Sequence, residues 1–119
     1  MKWNHKKRIE ELPKLIKKKI LLLDGAMGTM IQAEKLSEAD YRGERFKNHK
    51  INLFGNNDIL SLTKPDLISN IHLEFLKSGS SIIETNSFSS TSISQDDYLM
   101  SDLAYELNLQ SAKIARDVC

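Results

Sequence analysis

Several features that define other classes of protein are scarce in this chain of 119 residues. The one cysteine, Cys119, excludes an internal disulfide framework and a zinc site built from several cysteines, and it fits a reducing environment. The longest apolar run is far shorter than a bilayer crossing requires, and the basic N-terminus is not followed by the apolar stretch of a secretory signal. We therefore expect a cytoplasmic protein that has no membrane partner.

Charge is plentiful but unevenly distributed. Residues 1–19 carry eight Lys and Arg and two acidic residues, whereas the rest of the chain carries nine basic and fourteen acidic residues. Ile9, Leu12 and Ile16 recur at helical spacing, so we predict a basic N-terminal helix over 1–19 with its lysines facing solvent. No aromatic residues are interleaved with these lysines to stack on bases, so we expect no nucleic-acid partner.

Apolar patterning predicts two strand–helix pairs in residues 20–119. The short apolar run 20–23 is typical of a strand, and the segment 81–85, which contains Ile82 and Ile83, is predicted as the second strand. The other predictions are a helix over 5–18, a helix over 29–36, an ordered loop over 37–57, a helix from Pro65 to Gly79 with Thr63 as its N-cap, a polar loop over 86–94, and a final helix capped by Ser101 or Asp102. Alternating strands and helices predict an α/β fold with parallel strands, here an incomplete one of about two βα units.

Both predicted strands end in an acidic residue. Asp24 is followed by Gly25 and other small residues, and Glu84 by Thr85. Because parallel strands end at the same edge of a sheet, we expect Asp24 and Glu84 to lie close together, where two carboxylates suit the ammonium group of an amino acid. The same pair also fits independent capping roles, acid/base hydrolysis or a Mg²⁺ site.

The three histidines are poor candidates for catalysis or metal binding. None of His5, His49 and His72 is paired with a cysteine or glutamate at the spacing of metal ligands. His72 falls beside the apolar stripe of the predicted 65–78 helix, so we predict a structural role for it.

Four blocks of the sequence, in order, resemble the homocysteine S-methyltransferase module of cobalamin-dependent methionine synthases. They are LLLDGAMGTMIQ (21–32), ADYRGERF (39–46), GNNDILSLTKPDLISNIHLEFLKSGSSIIETNSFSST (55–91) and AYELNLQSAKIAR (104–116). The DGAMGT and ETNSF sequences are similar to the homocysteine methyltransferases as a whole. The RGERF and GNNDILSLTKP sequences are similar to the cobalamin-dependent branch rather than to the betaine or S-methylmethionine branches.

The resemblance implies that residues 20–119 are part of a homocysteine-binding domain, the N-terminal portion of a (β/α)₈ TIM barrel. The reaction of the family is methyl transfer from methylcobalamin, recharged by 5-methyltetrahydrofolate, to the zinc-bound thiolate of homocysteine, which gives methionine. Carried over to this chain, Asp24 and Glu84 contact the homocysteine ammonium group. The residues that line the pocket near the carboxylate and the thiol are Gly25, Met27, Thr85 and Asn86.

The zinc ligands of that family are three cysteines from later strands, so the resemblance assigns no metal ligand and no catalytic residue to this chain. It implies that the chain by itself binds neither zinc nor cobalamin and is inactive. Its expected partners are homocysteine, the remainder of the barrel, and the folate and cobalamin modules. The alternative expectation is a truncated, catalytically inactive remnant without a stable independent fold.

Overall fold

The computed structural model describes residues 5–119, so residues 1–4 of the predicted N-terminal helix lie outside the described part. The described residues form seven α-helices. These are α1 (His5–Ile16), α2 (Met27–Ala33), α3 (Glu38–Arg42), α4 (Leu60–Thr63), α5 (Pro65–Lys77), α6 (Ser92–Asp96) and α7 (Ala104–Val118). Two 3₁₀ turns, Asn57–Ile59 and Ser101–Leu103, lead into α4 and α7. None of these helices has both the length and the apolar composition that a membrane crossing requires.

The α/β fold predicted from the sequence is wrong. Helices make up 58% of the structure and strand only 2%, and residues 5–119 contain no sheet. The two segments predicted as strands do run side by side in parallel, but they meet in a single bridge between Leu23 and Ile82. Within the described residues no third strand covers either edge of this pair, and Leu22 and Leu23 stay more than half exposed. The predicted portion of a (β/α)₈ barrel, with two βα units, is therefore not what these residues form.

The hydrophobic core lies among the helices instead. Its buried members are Ile31, Tyr41, Leu53, Ile59, Leu60, Ile68, Ile71, Met100, Leu107 and Ile114. Helix α5 packs against α4 and α7, and α4 packs against α7. The predicted apolar stripe of α5 is confirmed by the burial of Ile68 and Ile71, and α7 likewise buries Leu107 and Ile114, because residues three or four apart share one side of a helix.

The region predicted as a loop over 37–57 contains a helix, α3. Its N-cap is Ser37, whose hydroxyl accepts from the N–H of Asp40 at 3.3 Å, while the Asp40 carboxylate accepts from the N–H of Ser37 at 2.8 Å. This reciprocal pair is a capping box, which begins a helix by satisfying N–H groups that have no partner within it. Gly43 ends α3 with a φ of 55°, which glycine adopts without strain. Five residues are too few to show apolar periodicity, so the pattern missed this helix.

Other predicted helix ends are partly right. Pro65 is the first residue of α5, as predicted, but Thr63 is not its N-cap. Gly79 follows one residue beyond the C-cap of α5, with a φ of 109°. Neither Ser101 nor Asp102 caps α7, because both lie in the 3₁₀ turn that precedes it. The predicted polar loop 86–94 includes the start of α6.

Asp40 also connects the start of α3 to the start of α5. Its carboxylate accepts from the hydroxyl of Ser37 at 2.7 Å and lies 3.0 Å from the Nζ atom of Lys64. Hydrogen bonds from the backbone and side chain of Ser37 and from Lys64 lower the pKa of Asp40 from 3.8 to about 2. The charged form of Asp40 is therefore favoured in the folded state.

We expect the stabilising effect of Asp40 to disappear in acid. As the pH falls from about 4 towards 2, the unfolded chain binds a proton at Asp40 more readily than the folded chain does, so the contribution is lost over this interval. The measurement is urea unfolding of the unmutated chain and of D40N at pH 5, 4, 3 and 2. D117N, which breaks an exposed ion pair with Arg116, is the control. A difference between the unmutated chain and D40N that stays constant over this range would contradict the prediction.

Candidate functional site

A cleft of about 450 Å³ opens where the bridged segments meet the turn Asn57–Ile59. Its wall includes all six residues predicted to bind homocysteine: Asp24, Gly25, Met27, Glu84, Thr85 and Asn86. Residues 26, 28, 55–58, 87–89 and 98 complete the lining. The structure therefore brings the predicted site residues together, although the fold that was expected to do so is absent.

The Asp24 carboxylate joins the two segments directly. Both of its oxygens lie 3.1 Å from the backbone N–H of Glu84, which donates to them. The N–H of Asp24 in turn donates to the carbonyl of Ile82 at 2.9 Å. Asp24 thus has a structural role at the end of the bridge, while the Glu84 side chain is exposed at the cleft and makes no hydrogen bond within the described residues.

The other predicted residues differ in what they present to the cleft. Gly25 and Thr85 are exposed, and Met27 is half-buried. The hydroxyl of Thr85 lies 2.5 Å from the hydroxyl of Ser87. Asn86 is buried, so it supports the wall more than it offers a polar group to a ligand.

Asn86 is held by a buried network of hydrogen bonds. Its amide nitrogen donates to the carbonyl of Asn57 at 2.9 Å and lies 3.2 Å from the hydroxyl of Ser61. The hydroxyl of Ser111, on α7, bonds to Ser61 at 2.8 Å and to the carbonyl of Asn86 at 2.9 Å. Because buried polar groups are stable only when they are hydrogen-bonded, this network gives the 84–87 segment a defined position against α4 and α7.

The residues Asn56, Asn57 and Asp58 line the cleft and were not predicted from the pattern. They follow Gly55, whose φ is 90°, and begin the turn that leads into α4. The sequence did contain a signal for these residues, because three consecutive polar side chains follow a glycine. It was missed because a polar stretch between helices is equally typical of a solvated loop.

The acidic residues in the lining of the cleft outnumber the basic ones. It contains the carboxylates of Asp24, Asp58 and Glu84, and none of the described residues that line it is a lysine, arginine or histidine. Burial raises the pKa of Asp58 above its ordinary value, although hydrogen bonds from Ser90 and Ser89 act in the opposite direction. The arrangement therefore favours a ligand that carries a cationic group.

The zinc ion that the family resemblance implies does not fit the described residues. Within 5–119 no group of three His, Cys, Asp or Glu side chains is arranged to hold a metal ion. Cys119 lies exposed at the end of α7, in a groove beside Arg8 that shares no residue with the cleft. The chemistry of the cleft residues, three carboxylates with amides and hydroxyls, suits recognition of a polar ligand.

A comparison with known protein families matches most of this chain. The family model described as homocysteine S-methyltransferase matches residues 21–119, which include every residue that lines the cleft. The chain belongs to the homocysteine S-methyltransferase family. Membership of this family indicates methyl transfer to homocysteine.

Proposed function

We propose that the cleft binds homocysteine as the methyl acceptor of an S-methyltransferase, with Glu84 as the main contact of its ammonium group. The observation that carries this proposal is the negative lining of the cleft in a chain of this family, with the exposed Glu84 carboxylate at its edge. Asp24 adds negative charge and holds the backbone of Glu84 in place. The hydroxyls of Thr85 and Ser87 and the glycine-containing backbone at 25–28 supply donors for the ligand carboxylate.

The finer assignment is to the cobalamin-dependent branch, the methionine synthases. It is supported by the RGERF and GNNDILSLTKP sequences, since residues of the second, Gly55 to Asp58, line the cleft. In this proposal the cleft residues bind the acceptor alone. Their part in the reaction is to hold homocysteine by its amino-acid group and leave its thiol free to react.

The test is the binding of L-homocysteine to the chain, measured by calorimetry under reducing conditions. The comparison ligand is 4-mercaptobutanoate, which is homocysteine without its amino group. We expect the unmutated chain to prefer homocysteine, and E84Q to weaken homocysteine binding by about tenfold, because a charge-assisted hydrogen bond becomes a neutral one. Binding of 4-mercaptobutanoate is expected to be unchanged in E84Q.

The matched control is E74Q, which makes the same chemical change in an exposed ion pair of α5 outside the cleft. We expect E74Q to bind both ligands as the unmutated chain does. Equal affinity of the unmutated chain for the two ligands would contradict the proposal. So would an E84Q variant that binds homocysteine as tightly as E74Q does.

One observation favours the alternative, a chain without a stable independent fold. Large apolar side chains are exposed along the bridged segments, including Ile20, Leu22 and Leu23. Such a surface promotes association of partly folded chains. A cooperative unfolding transition of monomeric chain would exclude this alternative, and its absence would support it.

A further inference from the structure

Asp58 is a carboxylate with unusual surroundings. Only 4% of the residue is exposed, yet it lines the cleft. Its Oδ2 atom accepts from the N–H of Ser89 at 2.8 Å and from the hydroxyl of Ser90 at 2.6 Å. No lysine, arginine or histidine forms an ion pair with it in the described part of the chain. A buried charge without a counter-ion destabilises the folded state unless hydrogen bonds or a bound cation compensate it.

The hydrogen bonds of Asp58 belong to a larger buried arrangement that joins the two sides of the cleft. The side-chain amides of Asn56 and Gln95 bond to each other in both directions, at 2.8 and 3.1 Å. Gln95, on α6, also donates to the carbonyl of Ser89 at 3.0 Å. Asp58 and Gln95 therefore hold the segment 89–90 through the N–H and carbonyl of Ser89 and the hydroxyl of Ser90. Both residues are nearly fully buried.

We propose that Asp58 is a positioning and specificity-determining residue of the cleft, which holds the wall 87–90 through its hydrogen bonds and selects cationic ligands through its buried charge. The selective role rests on the proposed function, because it concerns the ammonium group of homocysteine. The positioning role concerns the protein without ligand. Asp24 and Glu84 are the other carboxylates that line the cleft, and both add to the same negative potential.

Two variants separate these roles. D58N keeps the size of the side chain and an oxygen acceptor but removes the charge. S90A keeps the charge and removes one hydrogen bond. We expect D58N to weaken homocysteine binding about fivefold while 4-mercaptobutanoate binding is unchanged or tighter. We expect S90A to keep the preference of the unmutated chain for homocysteine over 4-mercaptobutanoate.

Amide hydrogen exchange of the chain without ligand tests the positioning role separately. Exchange at the N–H of Ser89 is expected to be faster in D58N than in the unmutated chain, because an amide oxygen is a weaker acceptor than a carboxylate. Unchanged exchange would overturn the positioning role. Equal loss of affinity for both ligands in D58N would overturn the selective role.

The unmutated chain supplies a measurement that does not depend on whether D58N folds. The carboxyl ¹³C shift of Asp58, followed through a pH titration, is expected to show a lower pKa with homocysteine than with 4-mercaptobutanoate. An identical titration with both ligands would overturn the selective role. If the chain bound neither ligand, both the selective role and the proposed function would be overturned. Amide exchange at Ser89 would then decide the positioning role by itself.

Discussion

Replacing Arg42 with methionine is expected to lower the free energy of unfolding by about 3 kcal/mol, because a charged donor serving several acceptors is lost and those acceptors stay partly buried. The guanidinium donates to the carboxylate of Glu38 at 2.7 Å and to the carbonyls of His49 and Ile51 at 2.7 and 3.0 Å. Only 16% of the Arg42 side chain is exposed. The measurement is urea unfolding followed by circular dichroism.

Glu38 extends this arrangement across the loop that leads to the cleft. Its carboxylate accepts from the N–H groups of Leu53 and Phe54 at 2.7 and 2.6 Å. Burial raises the pKa of Glu38, but the hydrogen bonds from Leu53, Arg42 and Phe54 together hold it below its ordinary value. Glu38 and Arg42 thus fix the course of the chain just before Gly55, the first of four consecutive residues that line the cleft.

The matched control for Arg42 is R116M, which removes an arginine from an exposed ion pair with Asp117. We expect R116M to change the free energy of unfolding by no more than about 0.5 kcal/mol, since exposed pairs contribute little. R42K is expected to lie between the two, because an ammonium group cannot reach several carbonyls at once. If R42M were as stable as R116M, the loop would not depend on this arginine.

Replacing His72 with leucine is expected to raise the free energy of unfolding at pH 7 by about 2 kcal/mol. His72 is fully buried, and neither ring nitrogen has a hydrogen-bond partner among the described residues. A buried polar group without a partner costs about 1–3 kcal/mol, which an apolar side chain of similar size avoids. The measurement is again urea unfolding. A loss of stability in H72L would show that the imidazole makes favourable interactions in solution.

The same residue makes stability depend on pH. Burial lowers the pKa of His72 below 6.5, although Asp24 acts in the opposite direction. The unfolded chain therefore binds a proton at His72 more readily than the folded chain, so stability is lost as the pH falls below about 6.5. We expect H72L to remove this part of the pH dependence. H49Q is the control and is expected to keep it, because this change leaves His72 and its buried surroundings in place.

The candidate site could be predicted from the sequence only in part. Asp24 and Glu84 were singled out because each follows a short apolar run and precedes small polar residues, and the structure places both at one cleft. Asp58 and Gln95 were not found, because their environment depends on the packing of segments that lie 31 to 39 residues apart in the chain. Local patterns carry no signal for a buried hydrogen bond between such distant residues.

By itself, the sequence determined the apolar faces of α5 and α7, the proline that begins α5, and the family to which the chain belongs. These properties depend on residues that are close in the chain or on an ordered set of motifs. Only the tertiary structure decided whether the predicted strands 20–23 and 81–85 become a sheet. A segment forms a strand of a sheet only when neighbouring strands pair with its backbone N–H and C=O groups. Within residues 5–119 the two segments share one bridge, and the core is buried among the helices.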